Sequence, residues 1–86
     1  MYKNKSSDGS LNISGKKISI LRKKMEPKTS QRMLADLIQL EGIDLDKNAI
    51  QRIESGKRFL TDIELKCLAK VFDVSADFLL EKTESP

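Results

Sequence analysis

Residues 46–58, Asp-Lys-Asn-Ala-Ile-Gln-Arg-Ile-Glu-Ser-Gly-Lys-Arg, limit what this chain can become more than any other stretch. They read as one short helix over 46–55 with a built-in start and stop. Asp46 is a good N-cap, because its carboxylate can accept the free amides of the first turn. Ile50 and Ile53 are three apart and share one side of the helix, while Lys47, Asn48, Gln51 and Arg52 fall on the other. Gly56 stands where a left-handed residue is wanted after the helix, and Lys57 and Arg58 suit the negative end of its dipole. Side chains of these four types together offer the donor and acceptor pairs that read base edges in a DNA major groove. Solvated helices also carry Lys, Gln and Arg, so the polar face does not decide the matter by itself. The flanking elements do.

Residues 1–13 are polar, group Ser6, Ser7, Gly9 and Ser10, and show no sustained period. They are expected to form a flexible arm, which is either a passive tail, the favoured reading, or a basic arm that brings Lys3 and Lys5 to DNA. Ser14 is expected to cap a first helix over about 15–26, in which Ile18, Leu21 and Met25 lie on one side. Pro27 ends it, because the residue before a proline is pushed out of the helical region. Ser30 caps a second helix over about 31–41, with Leu34, Leu37 and Ile38 as its buried stripe and Gly42 as its stop. Ile43, Asp44 and Leu45 connect it to the helix above. Thr61 and Glu64 form a capping box for a fourth helix, where Leu65, Leu68, Ala69 and Phe72 follow the i, i+3, i+4, i+7 pattern. Val74 and Ser75 lead into a last short helix with Phe78 and Leu79 expected inward. Met33 and Cys67 fall beside apolar stripes, where packing accounts for them. Residues 82–86 read as a frayed tail. No segment alternates with the period of a strand, so five short helices around one core are expected.

Length and charge narrow the function. At 86 residues the chain is one small domain, and 38% apolar with 34% charged residues suits a folded, soluble protein. No apolar run approaches a membrane span and no secretory pattern opens the sequence, so a cytoplasmic protein without a membrane partner is expected. The single cysteine cannot form an internal disulfide, and without histidine there is no Cys/His metal cluster. Lacking histidine, the chain also lacks the commonest general base, and no carboxylate or lysine constellation replaces it. No enzyme activity, cofactor or small-molecule ligand is expected. The net charge of +3 hides an asymmetry: residues 1–32 carry +7, residues 33–58 carry −1 and residues 59–86 carry −3. A basic first third suits a polyanionic partner.

With the helices placed, the sequence resembles the Cro/repressor (Xre-type) helix-turn-helix family of bacterial and phage transcription regulators. The likeness runs from about Ser14 to Glu81. It rests on Ser30-Gln31, Leu34-Ala35 and Ile50-Gln51-Arg52-Ile53-Glu54-Ser55-Gly56-Lys57-Arg58. It continues through Leu65, Leu68-Ala69-Lys70 and Val74-Ser75-Ala76-Asp77-Phe78-Leu79. The resemblance implies a compact, all-α, five-helix lambda-repressor-like domain over 14–81 that binds pseudo-palindromic double-stranded DNA as a homodimeric regulator, expected to be a repressor. It places Lys47, Asn48, Gln51 and Arg52 on bases, and Gln31, Ser55, Lys57 and Arg58 on phosphates. It makes Ala35 the small residue at the contact between the two helices of the motif, and pairs Glu54 with Arg22 on the first helix. One departure stands out. The connection from Ala35 to Ile50 is longer than the family's usual spacing, so an extended second helix and a looser turn over Gly42 to Leu45 are expected. The competing function is a helical interaction module, such as an antitoxin or adaptor. It would have no need of the base-reading and phosphate-type positions together.

Overall fold

The computed structural model describes residues 9–81, and these form five helices and no strand. They are α1 (Gly15–Lys23), α2 (Gln31–Leu40), α3 (Lys47–Glu54), α4 (Asp62–Phe72) and α5 (Ala76–Leu80). None is long and apolar enough to cross a membrane.

Four of the five helices start on a side-chain cap. Ser30 Oγ accepts from the Met33 amide at 3.1 Å, and Asp46 Oδ1 accepts from the Ala49 amide at 2.8 Å. Ser75 Oγ accepts from the Phe78 amide at 3.0 Å. Thr61 and Glu64 complete a reciprocal capping box at the head of α4, each bond 3.1 Å long. These bonds satisfy amides that the helices themselves leave without acceptors. The start of α1 differs from expectation. Ser14 makes no capping bond; its hydroxyl donates instead to the Leu79 carbonyl at 2.7 Å, which joins α1 to α5. Asn12 does the capping, its Oδ1 accepting from the amides of Ser14 and Gly15 at 3.1 and 2.7 Å.

The core is built from one side chain after another on the inner faces. Ile18, Leu34, Ile38, Ile50, Ile53, Leu68 and Leu79 are fully buried, with Ala35, Leu45, Leu65, Cys67 and Ala69 closing the gaps. α2 packs against both α3 and α4, and α1 packs against α3. Burying these branched side chains is the main force holding so short a chain together. Ala35, small and buried, lies on the buried side of α2, where the expected close approach to α3 needs a side chain without bulk.

Further expectations need correction. α1 ends at Lys23 rather than near residue 26, so Met25 follows the helix. Phe78 is 39% exposed and only Leu79 of that pair enters the core, because the inward side of α5 is the one shared by Ala76 and Leu79, three residues apart. Met33 is likewise exposed, on the outer side of α2. Leu11 and Asn12, expected in a flexible arm, are hydrogen-bonded to the rest of the domain, as described below; residues 1–8 and 82–86, with Lys3 and Lys5 among them, lie outside the described residues.

Candidate nucleic-acid interface

α3 is two-faced in the way its spacing requires. Ile50 and Ile53 are at most 1% exposed, whereas Lys47, Asn48, Gln51 and Arg52 all face solvent. None of these four side chains hydrogen-bonds or ion-pairs with another described residue. Their donors and acceptors are therefore available to a partner. The helix closes in a Schellman arrangement: the Gly56 amide donates to the Ile53 carbonyl at 3.1 Å and the Lys57 amide to the Arg52 carbonyl at 2.8 Å. That closure needs Gly56 at φ +78°, a conformation that costs a residue with a Cβ but not glycine. Ser55 and Lys57, on either side of it, are exposed.

A charged network fixes the inner end of this helix. Arg22 Nε donates to Glu54 Oε2 at 2.7 Å and Arg22 Nη2 to Oε1 at 2.9 Å, a two-pronged pair with side chains 11% and 7% exposed. Arg22 Nη1 donates to the Thr29 carbonyl at 3.0 Å, and Gln31 Nε2 donates to Glu54 Oε1 at 3.1 Å. α1, the link after it, the first turn of α2 and the last turn of α3 thus meet on one ion pair. Its hydrogen bonds hold the Arg22 guanidinium even more firmly protonated than usual. Gln31 stands at the positive N-terminal end of α2, an environment that suits a phosphate oxygen.

Arg58 is engaged differently from Lys57. Its Nη1 and Nη2 donate to Glu64 Oε1 and Oε2 at 2.8 and 3.0 Å, and Nη1 also donates to the Phe59 carbonyl at 2.9 Å. This pair clips the loop after α3 to the capping box of α4. The hydrogen bonds from Arg58, more than offsetting partial burial, hold the Glu64 carboxyl below the usual carboxylate range. A carboxyl with a lowered folded pKa contributes stability above its unfolded pKa and loses that contribution as pH falls through the folded value. Stability is therefore expected to decline as pH falls through the range where carboxylates protonate, and Glu64→Gln should flatten that part of the stability curve. Urea midpoints measured across pH check it; an unchanged profile in the variant would remove this pair from the acid response.

Sequence reasoning missed Asn12, Gly15 and Thr29. Asn12 had a signal, since an asparagine two or three residues before a helical period is as good a cap as Ser14. Gly15 and Thr29 had none, because their roles depend on contacts between distant segments. A Cβ at Gly15 would run into the Ile53 carbonyl, so α1 meets the end of α3 backbone to backbone.

An all-helical domain that presents one capped, outward-facing polar helix on a second, packed helix has the architecture of a helix-turn-helix domain. A helix-turn-helix family model matches residues 18–79, and the chain belongs to that family, of the Cro/C1 (Xre-like) type. No curated protein and no solved structure shows a significant match to the chain. The family is one of DNA-binding regulators rather than enzymes, with double-stranded DNA as its partner.

Proposed function

We propose that the protein is a sequence-specific transcriptional regulator, a repressor, that lays α3 in the major groove of a pseudo-palindromic operator as a homodimer. The observation that carries this is the set of Lys47, Asn48, Gln51 and Arg52, free on the outer face of a helix whose inner face and end are held by Ile50, Ile53 and the Arg22–Glu54 pair. Asn and Gln suit adenine, Arg and Lys suit guanine, each through two hydrogen bonds. Gln31, Ser55 and Lys57 would position the domain on the phosphates, while Arg58 reaches them only by sharing or leaving Glu64. One domain of this size covers limited DNA surface, and a second copy doubles the contacts. Leu40, Ile63 and Leu80, exposed and outside α3, are apolar surface of the kind such pairing buries.

Selection of bound sites from a random DNA pool tests the reading; two symmetric half-sites are expected. Asn48→Ala and Gln51→Ala should each cost about 1–3 kcal/mol in discrimination between sites and leave non-specific binding nearly unchanged. Lys57→Ala should weaken all sequences alike. Identical behaviour of the three variants on specific and random duplexes would take α3 out of the groove. Specific affinity should also fall steeply with salt, by a log–log slope of about −0.9 for each of roughly four to six phosphate contacts per protomer. A flat salt dependence would favour the interaction-module reading, in which the apolar surface serves a protein partner instead.

A further inference from the structure

We infer that Asn12 is a positioning residue for DNA recognition, acting through the end of α3 and the turn that follows it; the inference rests on the DNA-binding reading of α3. Asn12 Nδ2 donates to the carbonyls of Ile53 and Arg58, at 3.0 and 2.9 Å. Between those carbonyls lie Glu54, Ser55, Gly56 and Lys57, so the amide spans the turn that carries both exposed phosphate-type residues like a staple. On its other side Oδ1 accepts from the amides of Ser14 and Gly15. A primary amide has two N–H donors and an oxygen with two lone pairs, and every one of them is engaged here.

The backbone reinforces the same seam. The Leu11 amide donates to the Gly56 carbonyl at 2.8 Å. Segment 10–15 and segment 53–58 approach so closely that neither meeting point accommodates a Cβ. At Gly56 it would crowd Ser10, and at Gly15 it would strike the Ile53 carbonyl. The Ile53 carbonyl already accepts from the Gly56 amide, and Asn12 adds a second donor to it while also bonding the Arg58 carbonyl and so locating the turn in space. The chain on the N-terminal side of α1 thereby sets where Ser55 and Lys57 stand relative to the bases that Asn48 and Gln51 would read. A displacement of about 1 Å is enough to spoil a hydrogen bond to a phosphate oxygen.

Asn12→Asp separates this role from simple helix capping. An aspartate still accepts from the Ser14 and Gly15 amides, but it has no donor for the two carbonyls and sets a negative charge against them. Ser14→Ala is the control, because it removes the buried bond to Leu79 and lowers stability without touching segment 53–58. In the full chain, at a temperature where circular dichroism shows each variant folded, Asn12→Asp should bind specific DNA about tenfold more weakly. Its salt slope should be shallower by about 0.9, the contribution of one phosphate contact. Ser14→Ala should keep the wild-type slope. Equal slopes and equal site discrimination in the two variants would overturn the inference. Absence of salt-dependent binding in the wild type would instead strike the DNA-binding reading itself. If Asn12→Asp does not fold, Asn12→Ala is read the same way, and unfolding of both assigns Asn12 to the fold and removes its positioning role.

Discussion

Replacing Arg22 with alanine is expected to lower the free energy of unfolding by about 3 kcal/mol or more, and to weaken DNA binding as well. Glu54 is 7% exposed at its side chain and receives both prongs of the guanidinium. Without them a nearly buried carboxylate keeps only the Gln31 amide at 3.1 Å, and the Thr29 carbonyl loses its donor too. The cost arises from the charge left behind rather than from the pair's own strength. A domain of this length is stable by roughly 4–13 kcal/mol in all, so the loss takes a large share of it. Urea unfolding without DNA reads the effect directly. The double variant Arg22→Met, Glu54→Leu should regain most of the stability, because both charges are gone. It should not regain DNA affinity, since Gln31 would still lack the carboxylate that orients it. A single variant that unfolds within about 0.5 kcal/mol of wild type would contradict the buried network.

Ile53→Ala should cost about 3–4 kcal/mol, in the range of large-to-small changes at fully enclosed sites. Ile53 is 0% exposed and sits where α1 and α2 close over α3, so no neighbour can easily collapse into the space. Alanine's better helix propensity returns only about half a kcal/mol. Lys66→Ala, at an exposed position on α4, is the control and should change stability by less than about 0.5 kcal/mol. The difference in denaturant midpoint between the two variants measures how much of the domain's cohesion passes through the inner face of α3. Similar midpoints would mean that α3 is not seated as described.

What could be read from the sequence was what local chemistry decides. Ser30, Asp46, Thr61 with Glu64, and Ser75 announce helix starts because a cap and the amide it serves lie within a few residues of each other. The two faces of α3 follow from the same short spacing, and the family pattern brought Arg22 and Glu54 into view together. Features decided by distant contacts were hidden. The apolar period runs on to Met25, yet α1 stops at Lys23, and the chain then turns so that the Thr29 carbonyl meets Arg22. In α5 the period is too short to choose between Phe78 and Leu79. Arg58 looked like a free cation because the loop that brings Glu64 against it leaves no periodic trace. Asn12 was passed over because its two donated bonds reach 41 and 46 residues along the chain.

The bond from the Ser14 hydroxyl to the Leu79 carbonyl bears on how the domain comes to exist at all. It joins residues 65 positions apart, and the Asn12 contacts close shorter loops that overlap it. Closing loops of this size is an entropic cost met before the contacts return anything, and it slows folding relative to helices that need only their neighbours. On a ribosome, α3 has all of its own residues once Glu54 has emerged, but Leu68 and Leu79, which complete the core, come later. A chain interrupted between them would carry every side chain assigned to DNA and no settled platform for them. The outer face of α3 therefore depends on the finished domain, and its settled placement arrives with the last helix rather than with α3 itself.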